Sequence, residues 1–186
     1  MEDKILHAAL EEYTEHGWAG FTMDAVARRA GVGKSTVYLR WHDKDSLLTD
    51  AVRLRSQQVA VVDTGTLVGD LTALASNIFH NLTSSEGWAN FRVVMDSAST
   101  TEKLGQFTQE VGTVHRHVIT TIFDRAAARG ERTKELTPTA VTDLIYGAGL
   151  FFALGRRLEQ HEPTEEEIED RVRDVIGVIL EGILVD

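Results

Sequence analysis

Apolar residues return every three or four positions along most of the chain, and no alternating apolar–polar run persists. This pattern predicts an all-α protein. Ile5, Ala9 and Tyr13 fall four apart, as do Leu6 and Leu10, so a first helix over about 3–16 has one apolar face and stops at Gly17. Thr22 is a good N-cap for a short second helix, with Asp24 placed to favour the helix dipole and Gly31 as its terminator. Phe21 and Val26 flank that cap as a hydrophobic staple would. A third helix is expected over about 34–41, and Asp43 caps a fourth over about 44–60.

The turn-rich stretch from Val62 to Leu67 reads as a hinge, shared with the helix before it. Further helices are expected over about 67–83, 86–98 and 101–129, the last with Gly105 and Gly112 as candidate breaks. Thr137-Pro138 opens a helix reaching about 160, and Thr164 with Glu167 forms a capping box for a final one. The expectation is roughly nine helices, with no internal repeat.

Between residues 22 and 48 the pattern becomes specific. Val26 and Ala30 share a face of the second helix, Val37 and Trp41 share a face of the third, and Val32 lies in the turn between them. Leu47 and Leu48 complete a miniature core that the first helix closes. Ala27 and Ala30 let the two short helices cross closely, as a helix-turn-helix requires. Once that core is assigned, Lys34, Ser35, Thr36, Tyr38, Leu39 and Arg40 point away from it. A short helix exposing these groups can enter a major groove and reach base edges. Thr22 and Lys44 stand at helix N-termini, where phosphates are bound, and His42 lies beside the second of these.

Charge supports this division. The chain carries a formal charge of −10, yet residues 22–55 hold seven basic and four acidic side chains, a net +3. Residues 56–186 hold 11 basic and 20 acidic, a net −9. A locally positive segment on an acidic body suggests a polyanion-binding surface, although a solvated face gives such a window too. Arg28, Arg29, Arg53 and Arg55 read as surface charges rather than base-reading groups. There is no cysteine, which excludes disulfides and thiolate metal sites. The first residues lack the pattern of a signal peptide, and the apolar stretch Ile145–Leu154 is too short to span a bilayer. The expected location is therefore cytoplasmic, with no membrane partner.

The run TMDAVARRAGVGKSTVYLRWHDKDSLL resembles the DNA-binding domain of the TetR/AcrR family of transcriptional regulators. The matching positions are Thr22, Ala30-Gly31-Val32, Lys34, Ser35, Thr36, Val37, Tyr38, Trp41 and Lys44. Serine stands at 35 where glycine is frequent, leucine at 39 where histidine is frequent, and tryptophan at 41 where phenylalanine is usual. Leu39 and Arg40 are thus expected to set an individual base preference. The resemblance implies that Thr36 and Tyr38 contact DNA and that Thr22 and Lys44 grip phosphate. It further implies a helix-turn-helix domain over 1–55 and an effector-binding, dimerisation domain over 56–186. Such a protein would bind a palindromic double-stranded operator as a homodimer, and the family default is a ligand-responsive repressor with no cofactor.

For the larger domain the residues leave alternatives open. Phe151, Phe152, Val172, Val175, Ile176, Ile179 and Ile183 form stripes suited to a four-helix dimer face, or to the protomer's own core. Phe79, Trp88, Phe91, Met95, Phe107, His115, Ile119 and Tyr146 have the character of a pocket for a largely apolar effector, or of plain core. His115 and His117 diverge on a helix, and no metal set is apparent. No phosphate loop, nucleophile elbow or zinc-protease pattern supports an enzyme. A pure protein-interaction domain would leave the exposed residues of the third helix unexplained.

Overall fold

The computed structural model describes residues 1–56, 62–100, 116–131 and 137–183. Phe107, His115, the candidate breaks at Gly105 and Gly112, the first half of the seventh predicted helix and the end of the fourth lie outside them, as do the side chains of Arg55 and Ile183. The described residues form nine helices and no strand. They are α1 (Glu2–Gly20), α2 (Met23–Ala30), α3 (Lys34–Tyr38), α4 (Lys44–Ser56), α5 (Leu67–Thr83), α6 (Ser85–Thr100), α7 (116–128), α8 (Pro138–Leu158) and α9 (Glu165–Ile183). Two compact units result. One contains α1 to α4 together with α6, and the other contains α5, α7, α8 and α9. A division that cuts the sequence once, at 55/56, does not anticipate that α6 joins the N-terminal helices.

In the first unit the predicted caps are in place. Thr22 accepts a hydrogen bond from the Ala25 amide at 3.2 Å, and Gly31 closes α2 in the left-handed conformation (φ 64°) that glycine adopts without strain. Gly17 breaks α1 as expected, with φ 60°, but a further helical turn runs on to Gly20. The core gathers Ile5, Ala9, Tyr13, Phe21, Val26, Val37, Trp41, Leu47 and Leu48, with Val32 packed against it. Val93 of α6 enters the same core. Burying aromatic and aliphatic side chains at about 1.5–3 kcal/mol each is what holds the short α2 and α3, which are too short to be stable alone.

In the second unit α5 packs on both α8 and α9. Gly149 permits the first contact, since a Cβ there would lie 3.1 Å from Phe79 Cδ2 and 3.2 Å from Leu82 Cδ1. Phe79 also packs on Phe152, ring centroids 5.8 Å apart. The start of α5 is tied to α7 by a polar network around Asp70, which is fully buried. Its carboxylate accepts from the Thr64 amide at 2.6 Å and the Thr64 hydroxyl at 2.8 Å, and faces Arg129 at 3.4 Å and Arg125 at 3.7 Å. Glu131 accepts from the Leu67 amide at 2.8 Å and from Arg129 Nε at 2.7 Å.

Residues Pro138–Leu158 make α8 long and apolar enough, by length and composition, to cross a bilayer, a wider stretch than the 145–154 read from the sequence. Val141, Ile145, Gly149 and Ala153 are buried, while Leu144, Phe151, Leu154 and Leu158 on other faces are exposed.

The capping box of α9 forms reciprocally. Thr164 N donates to Glu167 at 2.8 Å, and Glu167 N donates to the Thr164 hydroxyl at 3.3 Å. The Thr164 amide, helped by His161, holds the Glu167 carboxyl at a pKa of about 2, below its ordinary value of 4.5. A depressed carboxyl pKa stabilises above the unfolded value and loses that contribution as pH falls through the folded one. We therefore expect α9 stability to decline between pH 4.5 and about 2. The Glu167→Gln variant should lack this pH-dependent part in acid titrations followed by circular dichroism. An identical acid profile in both proteins would refute the assignment.

Candidate nucleic-acid interface

The site is built on α3, whose inner side is anchored and whose outer side is free of packing. Val37 is fully buried and Trp41, just beyond the helix, is nearly so, its indole N–H donating to Asp50 of α4 at 2.9 Å. The helix itself is shorter than the predicted 34–41, because Leu39 and Arg40 fall in the turn after Tyr38. Shortness costs little here, since the two residues still face outward: Leu39 is 83% exposed and Tyr38 50%. Lys34, Ser35, Arg40 and His42 are exposed and Thr36 is half-buried. The predicted contact residues from Lys34 to His42 thus lie along one short segment backed by the core, with Thr22 and Lys44 at the starts of α2 and α4.

Exposed Thr22 uses its hydroxyl oxygen to cap α2, so its O–H hydrogen remains to be donated. Lys44 is more occupied. Its ammonium donates to the carbonyls of Trp18 at 3.0 Å and Phe21 at 3.4 Å, and sits 4.0 Å from the Trp18 ring centroid. It therefore fixes the end of α1 against the start of α4, whatever else it binds. Asp43 caps α4 through the Ser46 amide at 2.7 Å.

Electrostatically the head differs from its sequence window. Counting α1, residues 1–55 hold eight basic and nine acidic side chains, so the +3 of residues 22–55 becomes −1. The fold pairs many of these charges. Arg29 is held by Glu15 and, at 2.7 Å, by Glu12, which together raise its pKa, and Glu11 lies 3.8 Å away; a guanidinium so engaged is not available as a DNA contact. Arg53 meets Asp50 at 3.2 Å, Arg40 meets Glu2 at 3.6 Å, and Lys34 is bonded to Asp24. Tyr38 also donates to Asp24, at 3.3 Å. Among the described residues one group, Glu12, Glu15 and His16, brings three ligand atoms close enough for a cation, but Arg29 already engages both carboxylates.

The unit also contains polar ties between α1 and α6 that no sequence spacing announces. Tyr13 is fully buried and donates its hydroxyl to Asp96 at 2.5 Å; burial, and then that carboxylate, push its pKa up. Arg92 donates to the Thr14 carbonyl at 3.0 Å.

The residues proposed for effector binding divide between the units. Trp88 and Phe91 form a tilted pair on α6, centroids 5.6 Å apart, and Met95 on the same helix is exposed. In the other unit Phe79 and Ile119 are buried core, and burial raises the pKa of Tyr146. Of the proposed dimer residues, Val172, Ile176 and Ile179 are buried within their own unit and Val175 is half-buried. Phe152 packs on Phe79, with Arg156 and Arg171 near its ring, whereas Phe151 is 76% exposed. Two histidines of this unit have carboxylate partners: His80 meets Glu165 at 2.8 Å and His161 meets Glu167 at 2.9 Å.

Two family models match the chain. Residues 5–51 match "Bacterial regulatory proteins, tetR family", and residues 61–175 match "Tetracyclin repressor-like, C-terminal domain". The chain is 29% identical over 182 residues to YdeS of Bacillus subtilis, an uncharacterized HTH-type transcriptional regulator, covering 96% of this chain and 87% of the relative. It is 31% identical over 177 residues to another such regulator from Mycobacterium bovis, covering 94% and 85%. Its fold is similar to that of FadR from Bacillus subtilis, solved in complex with stearoyl-CoA, with a TM-score of 0.79 at 18% identity over 96% of this chain and 97% of that one. A regulator from Mesorhizobium loti superposes with a TM-score of 0.76 at 22% identity over 99% and 97%. Helix order, the α2–turn–α3 geometry and these matches agree, and the chain belongs to the TetR family of DNA-binding helix-turn-helix transcriptional regulators, not to an enzyme family.

Proposed function

We propose that this chain is a ligand-responsive repressor that binds a palindromic operator as a homodimer. The observation that carries the reading is the outward face from Lys34 to Arg40, presented by a segment whose inner residues Val37 and Trp41 are locked in the core. In this reading Thr36, Tyr38, Leu39 and Arg40 meet base edges, with Ser35 beside them, while Thr22, Lys34, His42 and Lys44 position the phosphate backbone. Two heads on a two-fold axis would enter major grooves about one helical turn apart. The functional boundary stays near residue 55, and the compartment is the one that holds the operator.

Dimerisation is assigned to the exposed apolar face of α8 and α9. Leu144, Phe151 and Leu158 are spaced by seven residues, and so lie along one side of α8; they are 54%, 76% and 77% exposed. Val178 of α9 is 72% exposed. An apolar stripe of this kind on a single protomer needs a covering surface. The effector is assigned to the largely apolar class. Acyl thioesters are the first compounds to test, because FadR of similar fold was solved with stearoyl-CoA and because Trp88, Phe91 and Met95 present adaptable apolar surface on α6.

Selection of genomic fragments by the purified protein at a stated salt concentration should return a palindrome. On it, Arg40→Ala or Tyr38→Phe should each weaken binding by about 1–3 kcal/mol, roughly five- to 150-fold, with thermal melting unchanged. If both variants bind as tightly as the unaltered protein, the assignment of the reading face is wrong.

A further inference from the structure

Both cations on the reading face already face carboxylates of the same head. Lys34 is bonded to Asp24 Oδ2, and Arg40 Nε lies 3.6 Å from Glu2. Asp24 does more than pair. Its other oxygen accepts the Tyr38 hydroxyl at 3.3 Å, so a single α2 carboxylate holds the first and last residues of α3. The pair is solvent-accessible, with the Lys34 side chain 67% and the Asp24 side chain 44% exposed. An exposed ion pair of this kind is weak enough to open, and it adds little to folding. An acidic group here is unfavourable for an approaching polyanion, although in the first turn of α2 it also favours the helix dipole, a term worth only about 0.3–1 kcal/mol at an exposed position.

We propose that Asp24 is a specificity-determining residue: it withholds Lys34 and Tyr38 from DNA in general and yields them only to a site that offers both groups better partners. A random duplex supplies phosphates but no set of base-edge partners for the whole face. Exchanging the Asp24 carboxylate for one phosphate then gains little, and Lys34 contributes only part of a phosphate contact. At a matched operator several contacts form together, and their sum displaces the carboxylate. The head thereby subtracts from non-specific binding more than from specific binding, which widens the ratio that decides occupancy among many competing sites. The inference rests on the DNA-reading role of α3.

The test needs no operator. Binding of the unaltered full-length protein, Asp24→Asn, Lys34→Ala and the double variant to a random-sequence duplex is measured across salt. Asp24→Asn should bind roughly three- to tenfold more tightly at low salt, with a log K against log salt slope steeper by about 0.9, the value of one added phosphate contact. Lys34→Ala should cut the slope by about 0.9 in the Asp24→Asn background and by clearly less in the Asp24 background. Equal losses in the two backgrounds would mean that Asp24 acts only through its field and does not hold Lys34, and would overturn the proposal. The failure of the underlying reading looks different: none of the four proteins would bind duplex with a salt slope, although all four melt alike.

Discussion

Replacing Asp70 with alanine should destabilise the second unit by about 1–3 kcal/mol, the size expected when buried donors lose their acceptor. The reason is what remains. Arg125 and Arg129 would lose the buried carboxylate between them and keep only Asp63 and, for Arg129, Glu131, while the Thr64 amide and hydroxyl would lose their acceptor. Burial pushes the Asp70 carboxyl up, but the Thr64 amide and hydroxyl, followed by the two arginines, overcome this and hold its pKa below the ordinary value of 3.8. The sign follows: the contribution is complete above the ordinary carboxylate range and is lost as the pH falls below it. Urea denaturation followed by circular dichroism would measure the effect at neutral pH. A loss below about 1 kcal/mol would show that the network is strained or solvated enough to be dispensable.

The second large effect concerns assembly. Phe151→Arg combined with Leu158→Arg should convert a dimer into a monomer at micromolar concentration, because four arginines would otherwise be buried without partners across a two-fold interface. Both residues are mostly exposed in the protomer, so helical content should be unchanged. Operator affinity should fall by about 10²–10⁴, since linkage of two reading heads supplies that factor without any new contact. Analytical ultracentrifugation decides the matter. A monomeric unaltered protein, or a variant that still sediments as a dimer, would remove this face from consideration.

The stripes on α9 show why helical spacing alone left the dimer question open. Val172, Ile176 and Ile179 repeat at three and four and look as suited to a partner as to a core. Their burial against their own unit is decided by α5, which is about a hundred residues away in the sequence. On α8 the spacing picks out Phe151, which is exposed, but not Leu144, Leu154 and Leu158, which remain outside with it, because the inward face is defined by Gly149 fitting against Phe79 and Leu82. Similarly, a positive window was legible at residues 22–55, but its neutralisation by Glu2, Glu11, Glu12 and Glu15 required α1 to be packed on α2, with Glu2 reaching Arg40 in the turn after α3.

By itself the sequence determined the helices, their caps and the reading head. Apolar periodicity, the Thr22 and Thr164 caps, the Gly31 turn and the Val37–Trp41 inner face are local signals, and each acts through hydrogen bonds or packing between residues close in the chain. Exposure of Tyr38, Leu39 and Arg40 followed from them by elimination. Only the tertiary structure decided which carboxylate meets which cation. Asp24 to Lys34, Tyr13 to Asp96 and Asp70 to Arg129 join residues 10, 83 and 59 apart. Such pairings have no sequence period, because the geometry that creates them is the crossing of helices rather than the turn of one.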